Sequence, residues 1–313
     1  MKKRKAKTIS DFEFFKLFPD EASAVKFVEE QIWPDGVKCK FCGSEKTSPR
    51  PHRHGHRCKS CGKDFTVRHG TIFGNSRLPL VKWLYAICLV QTARKSISSM
   101  ELSKKLGITQ KSAWFMLHRI REACKQGEWK LKETVEVDET FLGGKKKNQH
   151  ASKRVAQGGG AIGKQPVIGM RQRGGKVKAI AVENVKAKTL QKAIRESVEK
   201  GSTVYTDDFP AYRGIKGNGL WPYEYNHKAV KHSAKEYVNG MIHTNGIESV
   251  WALLKRGYTG TFHHFSMKHC QRYVDEFTFR LNEGNCERDT IDRIKSVCAA
   301  SVDKRLTYED LVN

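Results

Sequence analysis

The chain's 313 residues are enough for two or three compact units, and an apolar content of 38% allows them real cores. Lys and Arg number 58 against 33 Asp and Glu, a net charge of +25 that points to a polyanionic partner, nucleic acid first. No run of eighteen apolar residues occurs, so no membrane-spanning helix is expected, and the well-patterned segments below exclude a mere basic tail.

In chain order, the opening MKKRKAKTIS is basic with no apolar stretch behind it. It is expected as a solvated arm, not a secretory signal. Residues 11–33 hold two short helical patterns. Phe12, Phe14, Phe15, Leu17 and Phe18 form an aromatic cluster suited to a small core, and Asp20 can cap a helix carrying Ala22, Val25, Phe27 and Ile32. Trp33-Pro34-Asp35-Gly36 is a turn.

Cys39-x2-Cys42 and Cys58-x2-Cys61 follow, fifteen residues apart and each succeeded by a glycine, Gly43 or Gly62. In a cytosolic chain such pairs suggest metal before disulfides, and this spacing is that of a four-thiolate zinc ribbon. A redox dithiol or an iron–sulfur site suits it less well, because the pairs are matched and the segment is too small for its own core. Four thiolates make ligation by His52, His54 or His56 unnecessary.

Residues 79–94 read as a largely buried helix with Pro79 near its first position. Ser98 to Ala123 carries a helix-turn-helix pattern. Met100, Leu102 and Leu106 are expected inward, Gly107 makes the turn, and Thr109 caps a second helix bearing Ala113, Phe115, Met116, Leu117 and Ile120. Gln110, Lys111, Ser112, His118, Arg119 and Arg121 on that helix are expected to reach bases and phosphates.

From Glu133 the character changes. Thr134–Phe141 alternates as a strand, with Val135 and Val137 on one face and Glu136 and Asp138 on the other. Gly143–Lys164 is Gly- and Lys-rich without apolar periodicity, a cationic loop suited to phosphate backbones and not a nucleotide-cradling loop. Strands are expected at Pro166–Met170 and Val177–Val182, joined at Gly174-Gly175, then a helix at Ala187–Val198 and a strand at Ser202–Thr206 ending in Asp207-Asp208. Three strands in a meander, a helix and a further strand is the order of an RNase H-like domain. Tyr223–Tyr225 can form a short strand. In His243–Tyr258, Ile247, Val250, Trp251, Leu254 and Tyr258 share one helical stripe, with Asn245 as expected N-cap. Glu248 and Lys255 lie on one row bordering that stripe. Ser266–Asn282 is another amphipathic helix, and the tail from Cys286 is helical in pattern.

In such a topology Asp138, Asp207 and Glu248 can converge. Carboxylates so placed repel and are held ionised by hard cations with oxygen ligands, Mg2+ or Mn2+. Two such ions serve in-line phosphoryl displacement, and Lys255 would hold a phosphate oxygen nearby. Asp208 and Glu139 are expected on the wrong sides of their strands, while Glu136 shares the face of Asp138 and can assist. His243 can contact a phosphate; His263, His264 and His269 read as ordinary surface or core groups.

WPDGVKC with its two CxxC pairs, VEVDETFLGGKKKN, VYTDDFPAY, HTNGIESVWALLKRGYTGTFHH and HCQRYVDEFTFRLN together span most of residues 20–283. In these motifs and their order the chain resembles bacterial insertion-sequence transposases of the zinc-ribbon type, with an RNase H-like DDE catalytic domain. The resemblance implies cleavage at element ends and joining of 3′-hydroxyls to target DNA, in a homo-oligomer on double-stranded DNA carrying terminal repeats. It carries Asp138 and Asp207 over as the two aspartates. It allows Asn or Glu, followed by Lys, at the third position, where this chain offers both Asn245 and Glu248. Glu248 is preferred because a charged ligand binds Mg2+ better than an amide, with Asn245 as alternative ligand or support.

The expected architecture is therefore α+β and multidomain: a helical segment (1–36), a zinc ribbon (37–70), a helix-turn-helix region (75–130), an RNase H-like mixed sheet flanked by helices (131–285) and a tail (286–313). A cytoplasmic, nucleoid-associated protein is expected, without membrane contact. The competing readings are a non-catalytic zinc-ribbon and helix-turn-helix DNA-binding regulator, and a nuclease that cuts without rejoining.

Overall fold

Ser10 and Asp20 each start a helix through a reciprocal capping box, with Glu13 and Ser23 as partners, giving α1 (Asp11–Leu17) and α2 (Glu21–Ile32). The structure, a computed structural model, describes residues 5–144, 163–216, 224–230 and 242–312. The Lys145–Lys147 run, most of the Gly- and Lys-rich stretch, the basic residues from Lys231 to Lys235, and Tyr223 lie outside the described residues. Contacts divide the chain into two units, Met1–Lys125 with Glu283–Asn313, and Gln126–Asn282.

In the first unit, a three-stranded antiparallel sheet of β1 (Thr47–Arg50), β2 (Gly55–Cys58) and β3 (Asp64–Phe65) follows α2. Of the aromatic cluster, only Phe14 and Phe18 are buried; Phe12 is 84% exposed. The first helix is too short to bury more than one face. Three helices come next: α3 (Leu80–Thr92), α4 (Ser99–Leu106) and α5 (Gln110–Ala123). Gly107, at φ 59°, terminates α4, and the Thr109 side chain caps α5 through Ser112 N–H.

Two expectations for this region are corrected. Met100 is exposed, since Leu102, Ser103 and Leu106 already form the inward face of α4. His118, Arg119 and Arg121 are buried, because α5 is packed on several sides beyond its first two turns. Among the helix residues expected to reach DNA, Gln110 and Lys111 are exposed.

Part of that enclosure is α9 (Thr290–Ala299), which packs against α2, α3 and α5 with Ile294, Val297 and Cys298 fully buried. Arg293 from this helix donates to Gln91 O at 2.7 Å. A last short helix, α10 (Glu309–Val312), follows.

The second unit is built on a five-stranded mixed sheet. β4 (Thr134–Leu142), β5 (Gln165–Gln172) and β6 (Val177–Ala181) form an antiparallel meander. After α6 (Ala187–Ser197), β7 (Thr203–Asp207) joins β4 in parallel and β8 (Asn226–Val230) joins β7 in parallel. The order is β6-β5-β4-β7-β8. The last strand thus begins after Tyr225, not at Tyr223–Tyr225. The Tyr225 ring enters the core instead, its hydroxyl donating to Val198 O at 3.3 Å.

Alternation along β4 splits its residues between two cores. Val135 and Val137 pack with Leu190, Ile194 and Tyr212 on the α6 face. Leu142 lies on the other face with α7 (Asn245–Gly257) and α8 (Cys270–Asn282), where Ile247, Val250, Trp251, Leu254 and Tyr258 are all buried as their spacing requires. The fold is the RNase H-like mixed sheet flanked by helices.

Candidate active site and zinc site

Asp138 sits in the middle of β4, on the α7 face. The parallel register sets Glu136 opposite Tyr205. Two residues further along each strand are Asp138 and Asp207, near enough for their charges to interact. Across the other edge of β4, Asp138 is opposite Gly169. A Cβ on Gly169 would lie 2.4 Å from the Trp251 ring, so the glycine makes room for the indole. Trp251 uses that space to donate Nε1–H to Asp138 Oδ2 at 3.0 Å.

The electrostatics are those of crowded acids. Burial first, and then the charges of Glu139 and Asp207, push the Asp138 carboxyl up to about 7, against the Glu139 backbone and Trp251 donors that favour ionisation. Asp207 ends β7, its Oδ1 accepting from Phe209 N at 3.1 Å. Glu139 lies on the opposite face, as strand alternation requires, and its Oε2 accepts from Tyr212 Oη at 2.5 Å. Burial, with Asp207 nearby, still raises its carboxyl above the usual range. Sequence reasoning set Glu139 aside on its side-chain direction; its contribution is through charge.

Glu136 is almost fully buried and anchors the start of α7. Its Oε1 accepts from Arg173 Nε at 2.9 Å and its Oε2 from Ile247 N at 3.0 Å, while His243 Nδ1 lies 3.4 Å from Oε1. Arg173 also donates to His243 O at 3.1 Å and rests on the Tyr205 ring. His243 thus stands beside Glu136 and is half-buried. Asn245 is the first residue of α7 and not its cap. Thr244 holds the cap position, buried, and makes no capping bond because its Oγ1 donates to Glu248 Oε1 at 3.1 Å.

Asn245, Glu248 and Lys255 are all exposed. Asp138 and Asp207 are brought together; Glu248 is not drawn in to ligand-to-ligand distance with them. Among the described residues, the one group of three or more His, Cys, Asp or Glu side chains that close is the four-cysteine set.

In that set, Cys39 and Cys61 sulfurs are 3.7 Å apart, Cys42 and Cys58 sulfurs 3.6 Å, and all four lie within 4.8 Å of one another. A tetrahedral ion with Zn–S bonds of about 2.3 Å needs sulfur separations of about 3.8 Å. Backbone N–H groups of Phe41 and Cys61 donate to Cys39 and Cys58 sulfurs at 3.4 Å, and Gly43 and Gly62 adopt φ of 72° and 70° to turn the knuckles. The residues fit zinc. His56 is not needed there; its Nε2 meets Glu29 Oε1 at 2.7 Å.

Comparison with known proteins finds matches over both regions of the chain. Residues 130–282 match the model of the ISXO2-like transposase domain, and residues 19–64 that of the transposase zinc-ribbon domain. The chain is 28% identical over 254 residues to an uncharacterized protein in transposable element ISH50 of Halobacterium salinarum, covering 77% of this chain and 84% of that one. It is 32% identical over 107 residues to an uncharacterized transposase-like protein of Haemophilus influenzae, covering 34% of this chain and 81% of that one. Among solved structures it is similar to the crystal structure of the Mos1 strand transfer complex, at 14% identity and TM-score 0.28, over 68% of this chain and 75% of that one.

Proposed function

The chain belongs to the ISXO2-like transposase family, and from that premise we propose that it cleaves the ends of an insertion sequence and joins the 3′-hydroxyls to target DNA. The observation that carries this reading is the pair Asp138 and Asp207. They lie on neighbouring parallel strands, and burial with the charges of Glu139 and Asp207 pushes the Asp138 carboxyl up to about 7. Such a donor set suits a hard divalent ion. Mg2+ or Mn2+ held by Asp138 and Asp207, with Glu248 as third ligand, would supply Lewis acidity toward phosphoryl oxygens.

The helix geometry supports Glu248 over Asn245. Arg171 of β5 donates to Gly246 O at 2.6 Å and to Ser249 Oγ at 2.8 Å, which turns that flank of α7 toward β5. At roughly 100° per residue, Glu248 and Lys255 belong to the opposite flank, on the side of β4 where Asp207 lies. Asn245 projects further out, close to the outermost line of the helix. Trp251 orients the Asp138 carboxylate, Glu136 steadies the turn that carries Glu248, and Lys255, unpaired among the described residues, would hold a phosphate oxygen.

The partners proposed are double-stranded DNA, both terminal repeats and target, and further copies of the chain. The exposed start of α5, Gln110 and Lys111, supports base reading from the first helical turn. The test is strand joining in vitro with a pre-cut end and Mg2+ or Mn2+. Asp138→Ala and Asp207→Ala should each abolish joining while DNA binding persists. Joining at the wild-type rate by either variant refutes the site; binding without joining by the wild-type chain leaves the regulator reading.

A further inference from the structure

Within the first unit, a cavity of about 550 Å³ opens between the segment following the ribbon, the outer side of α5 and the stretch before α10. Its lining includes Arg68, Arg119 and Arg305, with His69, over a floor that includes Phe115 and Tyr308, and no lining residue is acidic. Arg68 is neutralised from behind by Glu21, 3.0 Å away. Arg305 is exposed and has no carboxylate partner among the described residues.

Arg119 is the informative group. It is 4% exposed, yet no carboxylate meets it among the described residues. Its guanidinium stands over the rings of Trp83 and Phe115, at 5.0 and 5.4 Å, and donates to Gly74 O, while its Nε finds no acceptor. Burial, with Arg68 beside it, lowers Arg119 only to about 10, so it is charged at neutral pH. A buried cation ordinarily has a counter-charge. Here Arg119 lines a roomy cavity together with Arg68 and Arg305.

We infer that this cavity is an anion site that takes a phosphodiester of the DNA substrate, with Arg119 and Arg305 as its donors. Guanidinium forks match phosphate oxygens, and the aromatic floor is compatible with sugar or base contact beside the phosphate. The inference rests on the proposed reading of the chain as a DNA-acting protein, and the source of the phosphate is separated by experiment.

The test uses the full chain and two probes. The first is a labelled generic duplex, its affinity followed by fluorescence anisotropy across a KCl series. The second is inorganic phosphate at constant ionic strength, followed by thermal unfolding. Arg305→Gln is the principal variant, because an exposed unpaired residue can change without unfolding the chain; Arg119→Lys keeps the charge but loses the fork. For DNA phosphate in the cavity, Arg305→Gln makes the slope of log K against log salt shallower by about 0.9. Phosphate then raises the wild-type melting temperature and does so less in both variants. An unchanged slope with a phosphate shift lost in the variants overturns the DNA assignment in favour of a free phosphate compound. A shallower slope without any phosphate shift overturns the cavity and puts Arg305 on DNA outside it. No change in either readout overturns the site altogether. A wild-type chain that binds no duplex at all sinks the DNA-acting reading itself, which strand joining tests separately through the second unit.

Discussion

Replacing Asp138 by Asn should stabilise the second unit at neutral and higher pH while removing activity. The carboxyl is raised from 3.8 to about 7 by burial and by its acidic neighbours. Between those values the native state holds a proton that the unfolded state has released, so stability falls as pH rises. The penalty is absent below about pH 4 and complete above about pH 7. Three pH units at about 1.4 kcal/mol each set a ceiling of about 4 kcal/mol. Asp138 is not fully shut off from solvent, and retained hydration should leave about 2–3 kcal/mol of this. Asn stays neutral and can still accept from Trp251 Nε1, the contact that orients the side chain. Urea unfolding of zinc-loaded wild type and Asp138→Asn, at pH 5, 6, 7 and 8 without added Mg2+, measures the difference. The variant should gain steadily over the wild type from pH 5 to pH 8, and added Mg2+ should narrow the gap by stabilising the wild type alone. A gap that does not vary with pH, or an Asn variant less stable at pH 8, refutes the electrostatic reasoning.

Separating the candidates for the third ligand calls for Glu248→Gln and Asn245→Ala in the Mg2+-dependent joining assay. Loss of about 10²–10³ in rate is expected for Glu248→Gln only, and the reverse pattern transfers the role to Asn245. Gly169→Ala inserts a methyl where only 2.4 Å separates it from the Trp251 ring; a cost of about 1–3 kcal/mol is expected in urea melts, and wild-type stability would mean the indole has somewhere else to go. Gly246→Ala similarly drives a methyl to within 2.5 Å of Glu136 Oε2. Despite better helix propensity it should destabilise the second unit by about 1–2 kcal/mol, with a gain in stability counting against the anchor. Zinc released by thiol modification and measured with a metallochromic dye should reach about one ion per chain and vanish in Cys58→Ser. A zinc-free wild type that keeps its full melting temperature would show that the ribbon needs no metal.

What could be read from the residues alone was whatever depends on neighbours in the chain. The Asp20 cap, the thiolate spacing with its two glycines, the alternation of β4 and the apolar stripe of α7 are all local patterns. Turn chemistry and side-chain period impose them wherever the segment lands. The start of α7 was already beyond that reach, because Thr244 takes the cap position and Glu136, distant in sequence, accepts from the Ile247 N–H, a helix-start donor of the kind Asn245 was expected to serve. Burial of His118, Arg119 and Arg121 was likewise hidden, since a basic residue on a helix looks solvated until another helix, here α9 in part, closes over it.

The sequence by itself determined the strand and helix periods and the four cysteines as candidate zinc ligands, because each is written in short-range spacing, and it offered the two aspartates through the order of the expected elements and the family's motifs. Only the tertiary structure decided that the charges of Asp138 and Asp207 act on each other, that Glu136 is an anchor and that a tail helix completes the first unit. The charge state of a carboxyl and the face a residue shows depend on which distant segments are packed beside it, and no local pattern carries that information.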